Sequence, residues 1–85
     1  MRSFEYTIRD EVGIHARPAG LLVNAAKATG CKVTLQKGDK RADAGKLFAV
    51  MGLGVKCGDT VAVIIEGENE DAASETLKEF FESNL

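Results

Sequence analysis

Phe4, Tyr6 and Ile8 alternate with Glu5 and Thr7, a period of two that predicts a strand with one buried face. A polar connection from Arg9 to Gly13 follows, and then the period changes. From Ala16 to Lys27 the apolar residues Ala19, Leu22, Val23 and Ala26 fall at i, i+3, i+4 and i+7, which is one face of a helix. Gly30 stands where such a helix would be capped. Val33 and Leu35 alternate with Lys32, Thr34 and Gln36 as a second strand. Lys37-Gly38-Asp39 is a hairpin turn signal leading to a short third strand near Lys40 to Ala42. Lys46 to Met51 reads as a short helix ended by Gly52 and Gly54. Thr60 to Glu66 is β-branched and strongly apolar (Val61, Val63, Ile64, Ile65), so it predicts the most central strand. Asn69 or Asp71 can cap a final helix with Ala73, Leu77, Phe80 and Phe81 on its inner face.

The predicted order is β-α-β-β-α-β-α. Four strands, one hairpin and no room for a second helix layer imply an α+β open-faced sandwich, a four-stranded antiparallel sheet with three helices on one face. The other face would meet water. Residues 1–85 make one domain, and a chain of this length buries roughly 60–65% of its unfolded surface.

Composition narrows the function. Apolar residues at 45% and charged residues at 28% are ordinary for a soluble globular protein. A net charge of −2 and a pI near 5.3 argue against bulk nucleic-acid binding, although a local basic patch for an acidic protein partner is compatible with them. No window approaches the ~20 apolar residues of a membrane span. The amino terminus alternates as a strand does and lacks the apolar stretch of a signal peptide, so a cytoplasmic protein with no membrane insertion is expected; a monomer is expected as well. Cys31 and Cys57 do not read as a disulfide scaffold and are expected to be reduced. Cys57 has no adjacent base and no metal-ligand spacing, and no metal site is expected anywhere.

The chemistry concentrates in Gly13-Ile14-His15-Ala16-Arg17-Pro18, which holds the only histidine of the chain. A histidine just before a helix can present a ring nitrogen beside the unpaired N–H groups of the first turn. Those of Ala16 and Arg17, with the Arg17 guanidinium, would hold a phosphoryl group carried on the ring. An ordinary imidazole titrates near pH ~6.5, so a neutral nitrogen is available to attack a phosphoryl donor at neutral pH. Arg17 is a cation at the helix end that disfavours cations, which suggests a task beyond stability. Pro18 lacks an N–H and suits a first turn, but it disfavours the helical region for Arg17. A bland reading makes His15 a simple surface cap, and its neighbours weigh against that.

Leu47, Phe48 and Met51 lie on a helix too short to bury all three, so part of that set is expected to form an exposed apolar patch for partners. Gly20 would let a partner's backbone come close, and Asn24 and Lys27 could extend the surface or be a plain solvated face. Glu68 to Asp71 is an acidic run at a helix start, where the dipole favours it. The chain has no Walker-type glycine loop and no carboxylate cluster for magnesium, which fits a carrier without independent turnover and not a kinase. A hydrolase or metal protein built on His15 would need a second base or ligand, and there is no second histidine.

Gly-Ile-His-Ala-Arg-Pro-Ala at 13–19 resembles the active-site signature of the HPr family, the histidine-containing phosphocarriers of the bacterial phosphoenolpyruvate-dependent sugar phosphotransferase system. Length, element order, the hairpin at Lys37 to Asp39, the stretch from Val50 to Gly54 and the acidic start of the last helix also fit. The resemblance implies that His15 takes a phosphoryl group on Nδ1 from phospho-Enzyme I, with Arg17 beside it, and passes it to IIA domains of sugar permeases. No cofactor is implied. Members under metabolite control carry a serine, modified by an ATP-dependent kinase, at the start of the short second helix. Lys46 stands there instead, and its charge is opposite to that of phosphoserine. Val12 occupies a position that is often small and polar in relatives, so a hydrogen bond near the ring is lost. An alternative is a regulatory binding module acting on transcription factors or metabolic enzymes according to its phosphorylation state. Lys46 weakens the repressor version of that alternative.

Overall fold

The computed structural model describes residues 1–85. Its elements are β1 (Arg2–Thr7), α1 (Ala16–Ala28), β2 (Lys32–Lys37), β3 (Lys40–Asp43), α2 (Leu47–Gly52), β4 (Thr60–Glu66) and α3 (Glu70–Asn84). This is the order predicted from the periodicities. The strands form one antiparallel sheet in the order β1-β4-β2-β3, so the β-branched strand β4 is indeed flanked on both sides. Each helical connection from β1 to β2 and from β3 to β4 skips one strand, which is then filled by another part of the chain.

Register turns alternation into a core. Phe4 pairs with Val63, Val63 with Leu35 and Leu35 with Ala42, an inward row that crosses all four strands. A one-residue slip would turn that row to water, so burial specifies the pairing. Against it α1 lays Ala19, Leu22, Val23 and Ala26, and α3 lays Ala73, Leu77 and Phe81, every one buried. The Phe81 ring meets Phe4 edge-on at 5.9 Å and Tyr6 at 5.4 Å. Pairs of this geometry add about 0.5–1.5 kcal/mol to the burial of the rings themselves. On the other face Ser3, Glu5, Thr7, Thr34 and Gln36 reach solvent.

Several details differ from the periodic reading. Phe80 is only half-buried, because a helix face about one turn wide reaches the core through Ala73, Leu77 and Phe81. The core also takes Ile14, Ala44, Val50, Leu53, Val55 and Leu85, mostly from segments with no period to betray them. Lys46 lies outside α2 as its N-cap, in extended conformation, and Gly52 lies inside it. Asn69 holds the N-cap position of α3 but makes no side-chain cap bond, because its Oδ1 accepts the Cys31 thiol at 3.1 Å.

Candidate functional site

The approach to α1 is built before the helix begins. Asp10 Oδ1 accepts the Val12 N–H at 2.9 Å, and the Asp10 carbonyl accepts the Gly13 N–H at 3.0 Å, closing a tight turn. Gly13 has φ +81°, and a Cβ there would stand 2.4 Å from the Val55 carbonyl oxygen and 2.7 Å from Lys56 Cα. No other residue type fits that approach. The same Val55 oxygen accepts the Ile14 N–H at 3.1 Å, and the Ile14 side chain is buried. His15 therefore emerges from a pinned neighbour, as the N-cap of α1 in extended conformation.

Its imidazole is 41% exposed, with Nε2 4.0 Å from Asp10 Oδ1. His15 and Asp10 share a shallow depression of about 250 Å³ with Arg17, Pro18, Leu21 and Asn84. Helical bonding starts with the Ala19 N–H donating to the His15 carbonyl at 2.9 Å. The N–H groups of Ala16 and Arg17 find no acceptor within the chain, and Pro18 has none to offer. No acidic residue stands in this first turn, and Arg17 makes no ion pair. Two open donors, the positive end of the helix and a free guanidinium thus surround a half-exposed imidazole. An anion at such a helix end gains about 0.3–1 kcal/mol from the dipole, and charge-assisted hydrogen bonds add about 1.5–3 kcal/mol.

Arg17, Gly20, Asn24 and Lys27 follow at i, i+3, i+7 and i+10 along one face of α1. Asn24 and Lys27 are exposed, and the space over Gly20 is empty out to 4 Å. On α2 only Val50 is buried, whereas Phe48 is 86% exposed and Leu47 and Met51 are at the solvent edge. Lys27 and Lys46 line a second depression of about 280 Å³ with Cys31, Lys32, Asp43 and Gly45. The structure thus joins His15 with Arg17, and separately Lys27 with Lys46. Both cysteines are free, and no group of three metal-ligating side chains gathers anywhere. No helix is long and apolar enough to cross a membrane.

Three lining residues of the His15 depression escaped the sequence reading. Leu21 carried a signal, since it is a large apolar residue one step off the buried stripe of α1, and it is 45% exposed. Asp10 was absorbed into a connecting loop, and Asn84 arrives from the far end of the chain with no local sign at all.

Known proteins place the chain in a family. Residues 2–83 match the family model for the PTS HPr component phosphorylation site. The chain is similar to the phosphocarrier protein HPr of Lysinibacillus sphaericus, 38% identical over 77 residues that cover 91% of this chain and 88% of that one. The crystal structure of HPr-C-His from Thermoanaerobacter tengcongensis superimposes with a TM-score of 0.92 at 32% identity, covering 98% of this chain and 93% of the other. Crh of Bacillus subtilis, described as a catabolite repression protein and a domain-swapped dimer, aligns with a TM-score of 0.78 at 32% identity over 100% of this chain and 98% of its own. This chain belongs to the HPr family, the phosphocarriers of the phosphoenolpyruvate-dependent sugar phosphotransferase system.

Proposed function

We propose that the protein accepts a phosphoryl group on Nδ1 of His15 from phospho-Enzyme I and hands it to IIA domains of sugar permeases. One observation carries this reading: a half-exposed imidazole sits at a helix start whose Ala16 and Arg17 N–H groups lack acceptors, in one depression with a guanidinium that has no ion pair. Uptake forms the Nδ1–P bond and breaks the bond from phosphorus to the donor. Discharge reverses this toward the acceptor, so the protein is a stoichiometric carrier and its partners supply the remaining catalytic groups. Phe48, Leu47 and Met51 offer the apolar part of a docking surface, and Gly20, Asn24 and Lys27 its polar border. The carrier is read as a cytoplasmic monomer when it works, since each transfer needs one exposed His15 per partner.

Lys46 bears on the regulatory alternative. Beside Lys27 and Lys32 it makes its depression cationic, where a serine-controlled relative would gain a dianion. We therefore favour transport over a serine-phosphate corepressor role. Incubation with phosphoenolpyruvate, Mg²⁺ and purified Enzyme I should load one acid-labile, base-stable phosphate, absent in His15→Ala and formed about 10- to 100-fold more slowly in Arg17→Ala. An unlabelled protein in a cascade that phosphorylates a known HPr would sink the proposal. With ATP and a serine kinase of related systems no acid-stable phosphate should appear, and Lys46→Ser should create that acceptor.

A further inference from the structure

Asp10 lies outside the His15 signature, yet it is the one acidic side chain that lines the depression of the imidazole. Its position is not accidental to a floppy loop. Oδ1 is held by the Val12 N–H at 2.9 Å, and the backbone N–H groups of Arg9 and Asp10 both donate to the Leu85 carbonyl oxygen, at 2.6 and 2.8 Å. The backbone at Asp10 is thus anchored and its carboxylate held by one N–H, and that same Oδ1 stands 4.0 Å from Nε2, close enough to act by its charge. Arg17 is the other charged group of the depression, and Asn84 from α3 is neutral.

We propose that Asp10 is a positioning residue that selects the tautomer of His15. This rests on His15 being the phosphoryl-carrying residue. A neutral imidazole holds its proton on one nitrogen and its reactive lone pair on the other. A carboxylate facing Nε2 stabilises the N–H dipole there, which leaves the lone pair on Nδ1. The loaded ring benefits again. When Nδ1 bonds to phosphorus and Nε2 keeps its proton, the ring is cationic, and Asp10 is its counter-ion. On discharge the P–N electron pair returns to Nδ1, the phosphoryl group goes to the acceptor nucleophile, and the leaving group is neutral imidazole. Without the Nε2 proton it would be the far poorer imidazolate. In this chain Val12 offers no polar side chain near the ring, and Asp10 supplies the polar partner from two positions earlier.

The test is ring-nitrogen NMR of ¹⁵N-labelled protein at alkaline pH, where an imidazole is neutral. In the wild-type chain the Nε2–H tautomer of His15 should dominate. Asp10→Asn keeps an oxygen for the Val12 N–H but removes the charge, and it should raise the Nδ1–H share about two- to fivefold, the range an exposed ion pair supports. Asp10→Glu should recover part of the wild-type ratio. Transfer from the loaded protein to a IIA domain should slow in Asp10→Asn by a similar factor, with its KM for that acceptor unchanged. An excess of Nδ1–H in the wild type, or the same tautomer ratio in Asp10→Asn, overturns the assignment. Failure of the carrier reading looks different: no phosphate would form on His15 whatever its tautomer.

Discussion

The two long helices of this protein begin in opposite ways. α3 opens with Glu70 and Asp71, which the positive end of a helix favours, and both are engaged: Glu70 with the Met1 amino group at 2.6 Å, Asp71 with Arg2 at 3.5 Å. α1 opens with no acid and an unfavourable arginine. First-turn N–H groups lack chain acceptors at both starts (Ala16 and Arg17 on α1, Asp71 and Ala72 on α3), so the difference lies in the charges. Each cap is preceded two residues earlier by a glycine in a confined place, Gly13 before His15 and Gly67 before Asn69. At α3 the chain's own carboxylates meet the positive helix end, and at α1 no first-turn carboxylate does. The helix end without an acid is the one at which the phosphoryl site is proposed.

The glycines give the largest separation between the two starts. A methyl on Gly13 would run into the Val55 carbonyl and the Lys56 backbone at a positive φ, so Gly13→Ala should cost about 3 kcal/mol, and ~15 °C in Tm. At Gly67 the φ is ordinary and the nearest atom is the Cys31 Sγ at 2.7 Å, which can turn away, leaving the Cys31 Cβ at 3.1 Å and Cα at 3.2 Å to give by a few tenths of an ångström. Gly67→Ala should therefore cost only about 1 kcal/mol. Thermal unfolding of the two variants decides it, and equal losses would mean that the α1 approach is no tighter than that of α3.

Exchanging charges probes the same contrast from the other side. Arg17→Glu gives α1 an acid like that of α3. It should raise stability by about 0.5 kcal/mol, ~3 °C in Tm, while slowing phosphoryl uptake at least ~100-fold. Asp71→Arg on α3 should lower stability by about the same half kcal/mol and leave uptake unchanged. A stabilised Arg17→Glu with normal uptake would show that the open start of α1 has no part in transfer.

Much of this was legible in the residues because it is local. Alternation in β2 and β4 and the i, i+3, i+4, i+7 stripe of α1 translate directly into buried faces, and Phe4 and Tyr6 of β1 pack half-buried against the same core. His15, Arg17 and Pro18 announce themselves by what they do to a helix start. What stayed hidden was set by distant chain. Ile14, Val55 and Leu53 are buried without periodicity, since their burial comes from loops crossing one another. Asn69 looked like a side-chain cap, and only the approach of Cys31 from 38 positions away redirects its oxygen. Asp10 reads as loop polarity until folding turns its carboxylate to the ring.

The smallest effect concerns acid. Asp59 closes the turn beneath Gly13. Its carboxylate accepts the Lys56 N–H at 2.9 Å and pairs with the Lys37 ammonium at 3.1 Å, which together hold its pKa below the ordinary 3.8. Glu70, at the α3 start, lies below its ordinary 4.5 chiefly through its hydrogen bond from the amino terminus. A lowered carboxyl pKa stabilises the folded state fully above the unfolded value, and that contribution disappears as pH falls through the folded one. Stability should thus decline from about pH 4 downward through both helix starts. Asp59→Asn retains an acceptor for Lys56 but cannot titrate, and Glu70→Gln does the same for α3. Each should make the acid decline shallower. If Asp59 supports the α1 approach, low pH in the Glu70→Gln background should broaden the Ile14 and His15 amide signals before those of Ala73 and Ser74. Simultaneous broadening at both starts would mean that the turn beneath Gly13 gives way only with the whole fold.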